Sequence, residues 1–460
     1  MQTTVEYERK LDAPAGFELP DLGGEPLEPR VFTSVYHDTT ERSLARAGIT
    51  LRRRTERGQS VWQLKLPVSG ARLELEEPGG PAGPPEPLRM LLRAHERHGA
   101  VAPVAELRTS RHGALVSRNG TSAEVTIDEV SVMDAQRVAT AFVEIEVELK
   151  DGEPAVLARI AKELERAGAR RADGTPKLFR VIDVPKRRRR TKKPFDALHA
   201  LLREQLDAVL AHDPGTRLGT DPESLHDMRV AVRRSRTLLR TGRRLLATDT
   251  QPLELELKWI AKLLGEVRDL DVLLDRLREE AASLPAADRA AVDRLLQALD
   301  RQRGQARHAL VTALDDQRYE NLLDRYESTL AELAPSSTAV ALEKLAARQA
   351  ARLRRAVEAA GPKPTDEQLH DLRKRGKRVR YAHELAGTTK VVRRAKAFQD
   401  VLGEHQDAVV AEERLRAIAR DAPPDQAVAA GLLIAREQVK RAAARAAWRK
   451  AWRALDRAAQ

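Results

Sequence analysis

The sequence predicts a multi-domain α and β protein in which an antiparallel β-domain with flanking helices precedes an all-helical module. Apolar and polar residues alternate with a period of two before residue 185, whereas Leu and Ala recur at spacings of three and four after residue 194. Charge divides the chain at the same place, because residues 1–185 carry a net charge of −3 (26 basic, 29 acidic) and residues 186–460 carry +15 (55 basic, 40 acidic). A chain of 460 residues also exceeds what one hydrophobic core usually organises.

The boundary between the two halves is predicted at a run of basic residues. Seven of the eight residues of KRRRRTKK are cationic, and proline precedes and follows the run, as is typical of an interdomain linker. The predicted organisation is therefore a strand domain over 1–185, a linker over 186–193 and a helical domain over 194–460.

Composition excludes several classes of protein. The absence of cysteine excludes disulfides, thiolate metal sites and cysteine nucleophiles. A charged N-terminus and the lack of any apolar run of about 18 residues predict neither a signal peptide nor a membrane span, so we expect a cytoplasmic protein with no membrane partner. The net charge of +12 favours polyanionic partners. Nothing in the sequence fixes the oligomeric state.

Each predicted strand of the first half carries ionised side chains on one face. In VEYERK, Glu6, Glu8 and Lys10 lie opposite Val5 and Tyr7, because side chains alternate along a strand. The same division recurs at Arg52, Arg54, Lys65, Glu74, Asp128, Glu144, Glu146 and Glu148. An ordinary sheet with one solvated face explains any single strand. The repetition of both charge signs indicates instead a shared charged surface.

The acidic positions of this surface predict a cation site. Glu144, Glu146 and Glu148 follow one another on one face, and their mutual repulsion needs cations to offset it. Hard oxygen donors without His or Cys favour Mg²⁺ or Mn²⁺ over zinc, and the facing Arg and Lys residues suit phosphate oxygens. A sheet closed with this face inward would form a charged tunnel for a metal–polyphosphate complex.

The ordered series of strand segments resembles the CYTH domain, also called the triphosphate tunnel metalloenzyme fold. EYERK matches the ExExK motif of that family, and ITLRRR, WQLKLP, ELRTSR, TIDEV, FVEIEVELKDG and TPKLFR resemble its later segments over about residues 1–183. The resemblance implies an antiparallel eight-stranded β-tunnel that hydrolyses triphosphate compounds with a divalent metal. Pro176 departs from the family, which often has Ser before the closing lysine.

The same resemblance implies roles for individual residues. The implied metal ligands are Glu6, Glu8, Glu144, Glu146 and Glu148, used in some combination. The implied phosphate-binding residues are Arg52, Arg54, Lys65, Arg108 and Lys177. The implied catalytic group is Glu6, Glu8, Lys10 and Asp128, in which Asp128 either ligates the metal or orients water. Which carboxylate activates the attacking water stays open.

The helical half contains an internal duplication. ESLHDMRVAVRRSR, from Glu223, shares seven of fourteen residues with EQLHDLRKRGKRVR, from Glu367. Downstream, LLGEVRDLDVLLDRL and VLGEHQDAVVAEERL share a Leu-Gly-Glu triplet and an aspartate at an offset of 138. The predicted module is a duplicated four-helix bundle with pseudo-repeats over about 194–330 and 336–455. Proline or glycine breaks between its helices are predicted near 214, 252, 285, 335, 361 and 423.

Each copy presents a cationic stripe on one helical face. The first contains His226, Arg229, Arg233, Arg236 and Arg240, and the second contains His370, Arg373, Lys377 and Arg380. Arg234 and Arg378 lie at the edges of the stripes. A solvated face explains an isolated run of this kind, but like charges concentrated in both copies repel one another unless an anion binds. Their spacing of about 5 to 6 Å per turn suits a chain of phosphates.

These two stretches resemble the CHAD domain, the conserved histidine α-helical domain, over about residues 194–455. Members of that family bind inorganic polyphosphate through such His, Arg and Lys residues, and the segments that contain Arg268 and His405 also fit. The resemblances predict a metal-dependent triphosphatase coupled to polyphosphate binding, with inorganic triphosphate and long-chain polyphosphate as partners. Association with polyphosphate granules is a further expectation.

Two other functions stay open. One is a non-catalytic polyphosphate-binding adaptor, and the other is a nucleic-acid-binding protein, which an aromatic content of 3% disfavours. The sequence does not choose between tripolyphosphate, a nucleoside triphosphate and thiamine triphosphate as substrate.

Overall fold

The computed structural model describes residues 1–68, 70–118, 120–172, 174–184, 193–337 and 341–460. The chain forms two compact units, one made of Met1–Arg187 with Asp207–Leu225 and the other of Arg188–Leu206 with His226–Gln460. The predicted linker, except Lys193, lies outside the described residues. In the part of the chain that is described, no helix is both long enough and apolar enough to cross a lipid bilayer.

Eleven strands in the described residues form one antiparallel sheet in the first unit. They are β1 (Gln2–Glu6), β2 (Glu8–Ala13), β3 (Glu25–Pro26), β4 (Arg30–Asp38), β5 (Thr50–Glu56), β6 (Gln59–Val68), β7 (Ala71–Pro78), β8 (Ala102–Arg118), β9 (Thr121–Asp134), β10 (Arg137–Asp151) and β11 (Arg170–Arg171). The strand order is β1-β7-β6-β5-β4-β8-β9-β10-β2-β11, and β3 pairs with β8. The predicted antiparallel strand domain is confirmed.

The sheet is not closed by a continuous ladder of hydrogen bonds, in contrast to the predicted tunnel. β1 pairs with β7 and β2 pairs with β10, so the two halves of the N-terminal segment belong to opposite ends of the strand order. Only Tyr7 separates them, and its carbonyl accepts a hydrogen bond from Leu149 N at 2.9 Å. If residues 2–13 are counted as one interrupted strand, eight strands longer than two residues remain, which is the predicted number. The chain itself therefore connects the two ends of the sheet.

Helices cover the apolar face of this sheet. The short helices of the strand domain are α1 (Ser43–Arg46), α2 (Glu86–Glu96), α3 (Ala155–Arg166) and a 3₁₀ turn at Lys177–Arg180. Ile145 and Val147 of β10 pack with Leu157 and Ile160 of α3, and a second core joins β5, β6 and β7 to α2. Because alternation directs these apolar residues to the helices, the ionised residues between them lie on the opposite face.

Nine helices and a 3₁₀ turn at Arg243–Leu245 make up the rest of the described chain. The helices are α4 (Pro194–Leu218), α5 (Pro222–Gly242), α6 (Gln251–Ala282), α7 (Ala286–Leu314), α8 (Gln317–Glu332), α9 (Leu342–Ala360), α10 (Asp366–Leu385), α11 (Thr389–Ala419) and α12 (Pro424–Ala458). The predicted all-helical half is confirmed. The break predicted near 214 is wrong, because α4 continues through Pro214 to Leu218.

The helical domain has two hydrophobic cores, one within the second copy and one shared between the copies. α9, α10, α11 and α12 form a four-helix core that contains Phe398 and Trp448. A second core combines α6 and α7 with the end of α11 and the start of α12. A capping box at the start of α10 fixes its first turn, since Thr365 Oγ1 accepts a hydrogen bond from Gln368 N at 3.2 Å and Gln368 Oε1 accepts one from Thr365 N at 2.8 Å. The N-cap residue Thr365 lies five residues before His370.

Candidate functional site

Two lysines lie among carboxylates on the charged face of the sheet. Lys10 Nζ lies 3.0 Å from Glu144 Oε1 and 2.5 Å from Glu146 Oε1. Lys177 Nζ, from the 3₁₀ turn, lies 2.8 Å from Asp128 Oδ2, 2.9 Å from Glu144 Oε1 and 2.7 Å from Glu146 Oε1. The side chains of Asp128 and Glu144 are at most 1% exposed. The structure therefore brings five of the predicted site residues into one buried cluster, which we call the acid–base cluster.

Arg111 completes the acid–base cluster. Its guanidinium binds Asp128 in a bidentate manner, with Nε 2.7 Å from Oδ1 and Nη2 2.6 Å from Oδ2, and Nη2 also lies 2.6 Å from Glu146 Oε2. The predicted Arg108 lies elsewhere, because it is exposed and the adjacent Leu107 is buried on the other face of β8. The sequence signal that identifies Arg111 is phase, since residues 107, 109 and 111 share one face.

The charges of the acid–base cluster stabilise one another against burial. Burial opposes ionisation of Asp128, but Lys177 and Arg111 hold its pKa below the ordinary value. Burial likewise opposes ionisation of Glu146, and Lys10, Lys177 and Arg111 hold its pKa well below the ordinary value. Burial would lower the pKa of Lys177, yet Glu146, Asp128 and Glu144 raise it well above its usual range. Asp128, Glu146 and Lys177 therefore remain ionised at neutral pH.

A second group of acidic residues on this face has fewer cations. Lys65 Nζ lies 2.6 Å from Glu6 Oε2 and 3.3 Å from Glu74 Oε1. Burial and the nearby Glu74 raise the pKa of Glu6, with Lys65 acting in the opposite sense. Burial also raises the pKa of Glu148, which pairs across the strands with Glu8.

Glu6, Glu8 and Glu148 each have one nearby cation, because Lys65 contacts Glu6, Lys10 Nζ lies 3.7 Å from Glu8 Oε2, and Lys150 Nζ lies 2.7 Å from Glu148 Oε1. Their oxygen donors fit a hard divalent metal. Among the described residues of the strand domain, no group of three acidic or histidine side chains is arranged to hold a metal ion as it stands. A metal would therefore have to draw these side chains together.

The predicted arginines of β5 flank the acid–base cluster. Arg52 Nε donates to Gln63 Oε1 at 2.7 Å, and its Nη1 donates to Tyr36 OH at 3.2 Å. Arg54 Nη2 donates to Glu56 Oε2 at 2.6 Å, and its guanidinium lies 4.0 Å from the ring centroid of Phe32. Arg54 therefore lies toward the hairpin end of the strand, next to an aromatic ring and a carboxylate.

The cationic stripes of α5 and α10 meet in the helical domain. Lys377 of α10 lies among Arg233 and Arg229 of α5 and Arg373 and Arg380 of its own helix. Burial, followed by the charges of these four arginines, lowers the pKa of Lys377 to about 6. Sequence periodicity predicts two separate stripes, and the tertiary structure joins them into one surface, which we call the basic junction.

Glycines of the repeated downstream segment support the basic junction. A Cβ atom added at Gly403 would lie 3.3 Å from Arg373 Nη2, and one added at Gly265 would lie 3.7 Å from Arg229 Nε. Asp269, one turn after Gly265, accepts a hydrogen bond from Arg229 Nη2 at 2.7 Å. In each copy the arginine of the stripe passes over the glycine of the neighbouring helix, where a larger side chain would be in its way. This explains why both copies have glycine at that position.

The other predicted basic residues have different surroundings. Arg234 pairs with Glu384, and Arg378 is exposed. Burial, Arg240 and Arg233 lower the pKa of Arg236. The remaining predicted histidines, His226 and His370, are half-buried on their helices.

His405 serves the packing of the helical domain and lies outside the stripes. It is 1% exposed, and its Nε2 lies 3.0 Å from Asp366 Oδ1. Arg441 and Arg445 of α12 bind the same carboxylate. Burial lowers the pKa of His405, so the ring is predominantly neutral at neutral pH.

The fold and the sites define a two-domain protein that joins a charged antiparallel strand domain to a basic helical module. A model of the CYTH domain matches residues 4–179, and a model of the CHAD domain matches residues 200–416. The uncharacterized proteins Rv2226 and MT2285 of Mycobacterium tuberculosis are each 32% identical, over 94% of this chain and 93% of theirs. The chain belongs to the family of proteins that combine a CYTH domain with a CHAD domain.

Solved structures are similar to parts of the chain. PptA from Streptomyces chartreusis is 25% identical, with a TM-score of 0.48, and the match covers 56% of this chain and 99% of PptA. The CHAD domain from the plant Ricinus communis is 27% identical, with a TM-score of 0.47, and the match covers 60% of this chain and 98% of that domain.

Proposed function

We propose that the strand domain hydrolyses inorganic triphosphate, or a related triphosphate compound, with Mg²⁺ or Mn²⁺, and that the helical domain binds inorganic polyphosphate. The acid–base cluster carries the first part of this proposal. Lys10, Lys177 and Arg111 are held on one buried face, and burial raises the pKa of Glu6 and Glu148 on the same face, so that an added cation would stabilise their ionised forms. A phosphoanhydride chain with a bound metal has the complementary charges.

Different residues of the strand domain would have different roles in phosphoryl transfer. Glu6, Glu8 and Glu148 would hold the metal, which neutralises charge on the phosphate oxygens and supports attack by water. Lys177 and Arg111 would bind the phosphate chain from the opposite side of the site. Asp128 would act as a positioning residue, because its two oxygens bind Arg111 and Lys177 and would hold both cations against the phosphate chain.

Metal dependence is tested by phosphate release from tripolyphosphate. We expect release with Mg²⁺ or Mn²⁺, its loss on chelation, and its loss in Glu6→Ala with folding intact. The fold should survive because Lys65 keeps Glu74 as a partner at 3.3 Å, and because removing Glu6 relieves repulsion with that residue. Glu129→Ala, at an exposed position of β9, is the control that should retain activity. Release that continues in the presence of chelator would contradict the metal role.

A non-catalytic adaptor is the second candidate function. It is favoured by the bonds that Lys10 and Lys177 make to Glu144 and Glu146, since these engage two of the predicted metal ligands. An adaptor would bind tripolyphosphate without releasing phosphate under any metal condition.

Polyphosphate binding should weaken as the pH rises above about 6. Lys377 has a pKa of about 6 in the free protein, so it is mostly neutral at pH 7. A bound polyanion raises that pKa, and binding therefore takes up a proton between about pH 6 and the higher pKa of the complex. In Lys377→Arg the charge is permanent, so the affinity for long-chain polyphosphate should lose most of its dependence on pH above 6. An unchanged pH dependence in this variant would exclude Lys377 as the titrating group.

The two supporting glycines should differ in their tolerance of a methyl group. Gly403→Ala places Cβ 3.3 Å from Arg373 Nη2 and forces the guanidinium to move, whereas Gly265→Ala makes ordinary contacts of 3.7 and 3.8 Å with Arg229. We expect Gly403→Ala to weaken polyphosphate binding several-fold and Gly265→Ala to leave it near the wild-type value. Titration of both variants with long-chain polyphosphate measures the difference. Equal affinities would show that the position of Arg373 does not limit binding.

A further inference from the structure

A cavity beside the basic junction has a wall that phosphate binding does not explain. It has a volume of about 450 Å³. Three arginines of α5 form one side, and two lysines, a tryptophan and a leucine of α6 form the other. Its lining includes Arg229, Arg233, Arg236, Leu255, Lys258, Trp259 and Lys262. The cavity thus combines cations with an apolar surface.

The apolar wall consists chiefly of Leu255 and Trp259. The side chain of Leu255 is 56% exposed, and the Trp259 ring is half-buried. The guanidinium of Arg318 lies 4.2 Å from the ring centroid of Trp259, which holds the indole in place. An exposed leucine beside a fixed aromatic ring provides apolar contact area that an inorganic anion cannot use.

The internal duplication shows that this wall belongs to the first copy alone. At the offset of 138 that aligns the Leu-Gly-Glu triplets, Leu255 corresponds to Arg393 and Trp259 corresponds to Ala397, whereas Lys258 corresponds to Lys396. The second copy therefore keeps a cation of this helix and lacks its apolar pair. Anion binding by both copies needs only the shared cations, so the leucine and the tryptophan call for an additional explanation.

We propose that this cavity binds the base of a nucleoside oligophosphate, with the base against Trp259 and Leu255 and the phosphates on Arg229, Arg233 and Arg236. This inference rests on the proposed binding of phosphate chains by the helical domain and adds a ligand class to it. A base presents a flat apolar face to the indole, and a volume of about 450 Å³ lies within the range of small-molecule sites. The nucleoside should therefore add affinity beyond that of the phosphates alone.

Photolabelling of the full chain with 8-azidoadenosine triphosphate, in chelator, tests the inference. Cleavage after Lys258 releases the tryptic peptide Trp259–Lys262, so mass spectrometry separates labelling at this cavity from labelling of the strand domain. We expect label in this peptide, and ATP should compete for it about tenfold better than tripolyphosphate does. Equal competition by the two compounds would overturn recognition of the base while leaving phosphate binding intact. Stronger competition by a single-stranded oligonucleotide would assign the cavity to nucleic acid instead.

Two variants and a control test whether Leu255 and Trp259 cause the preference for ATP over tripolyphosphate. Leu255→Arg, which copies the second repeat at an exposed position, should reduce ATP competition to the level of tripolyphosphate without unfolding the protein. Trp259→Leu should lower the affinity for ATP to that for tripolyphosphate. Trp452→Leu, at another half-buried tryptophan, should leave the affinity for ATP unchanged. Unchanged ATP preference in Leu255→Arg and Trp259→Leu would overturn the proposal. Failure of long-chain polyphosphate to bind the wild-type protein would instead indicate that the proposed function itself is wrong.

Discussion

Arg111→Lys should lower phosphate release from tripolyphosphate by about 10²-fold, whereas Arg108→Ala should leave it nearly unchanged. The two arginines lie three residues apart on β8, but only Arg111 reaches the charged face, where it bridges Asp128 and Glu146. Lysine keeps the positive charge and loses the bidentate geometry, so the variant should fold with its carboxylates still compensated. The lost interaction is a fixed pair of donors beside the phosphate chain.

Comparing Arg111→Ala with Arg111→Lys distinguishes the role of Arg111 in catalysis from its role in stability. Arg111→Ala removes one partner of a buried ion pair and should lower the free energy of unfolding by about 3–5 kcal/mol, which thermal denaturation would detect. Arg111→Lys should retain most of this stability while losing turnover. Full activity in Arg111→Lys, or a large loss in Arg108→Ala, would contradict the placement of the substrate on this face.

Arg233→Glu should weaken binding of long-chain polyphosphate by about 10²-fold at low salt and leave tripolyphosphate hydrolysis unchanged. Arg233 lies at the basic junction, where its charge acts on both Lys377 of the second copy and Arg229 of the first. Reversal of its sign therefore changes the potential for both stripes at once. The effect should diminish as salt screens the charges.

A matched charge reversal provides the control. Arg301→Glu changes the net charge by the same amount at an exposed position of α7 and should alter affinity only slightly. If the two variants weaken binding equally, general attraction by a basic protein explains the interaction, and the basic junction has no special role.

The helical periodicity predicts the stripes and the alternation predicts the charged face, but neither predicts which residues meet. Asp128, Glu144, Glu146, Lys10 and Lys177 lie together in the structure because each faces the same side from its own strand or turn. Arg108 is placed on the opposite face from these residues, since a motif match does not determine strand phase. The helix through Pro214 likewise departs from a local rule, because tertiary packing outweighs one missing hydrogen bond.

The amino-acid pattern alone determined the two fold classes, the duplication and the charged faces, because these depend on residue periods of two and 3.6 that any chain segment displays locally. Tertiary structure alone decided that Arg111 joins the acid–base cluster, that the stripes of α5 and α10 meet at Lys377, and that Gly403 lies beneath Arg373. These relations join residues far apart in sequence. Their energies depend on distance and burial in the folded chain, which local periodicity does not encode.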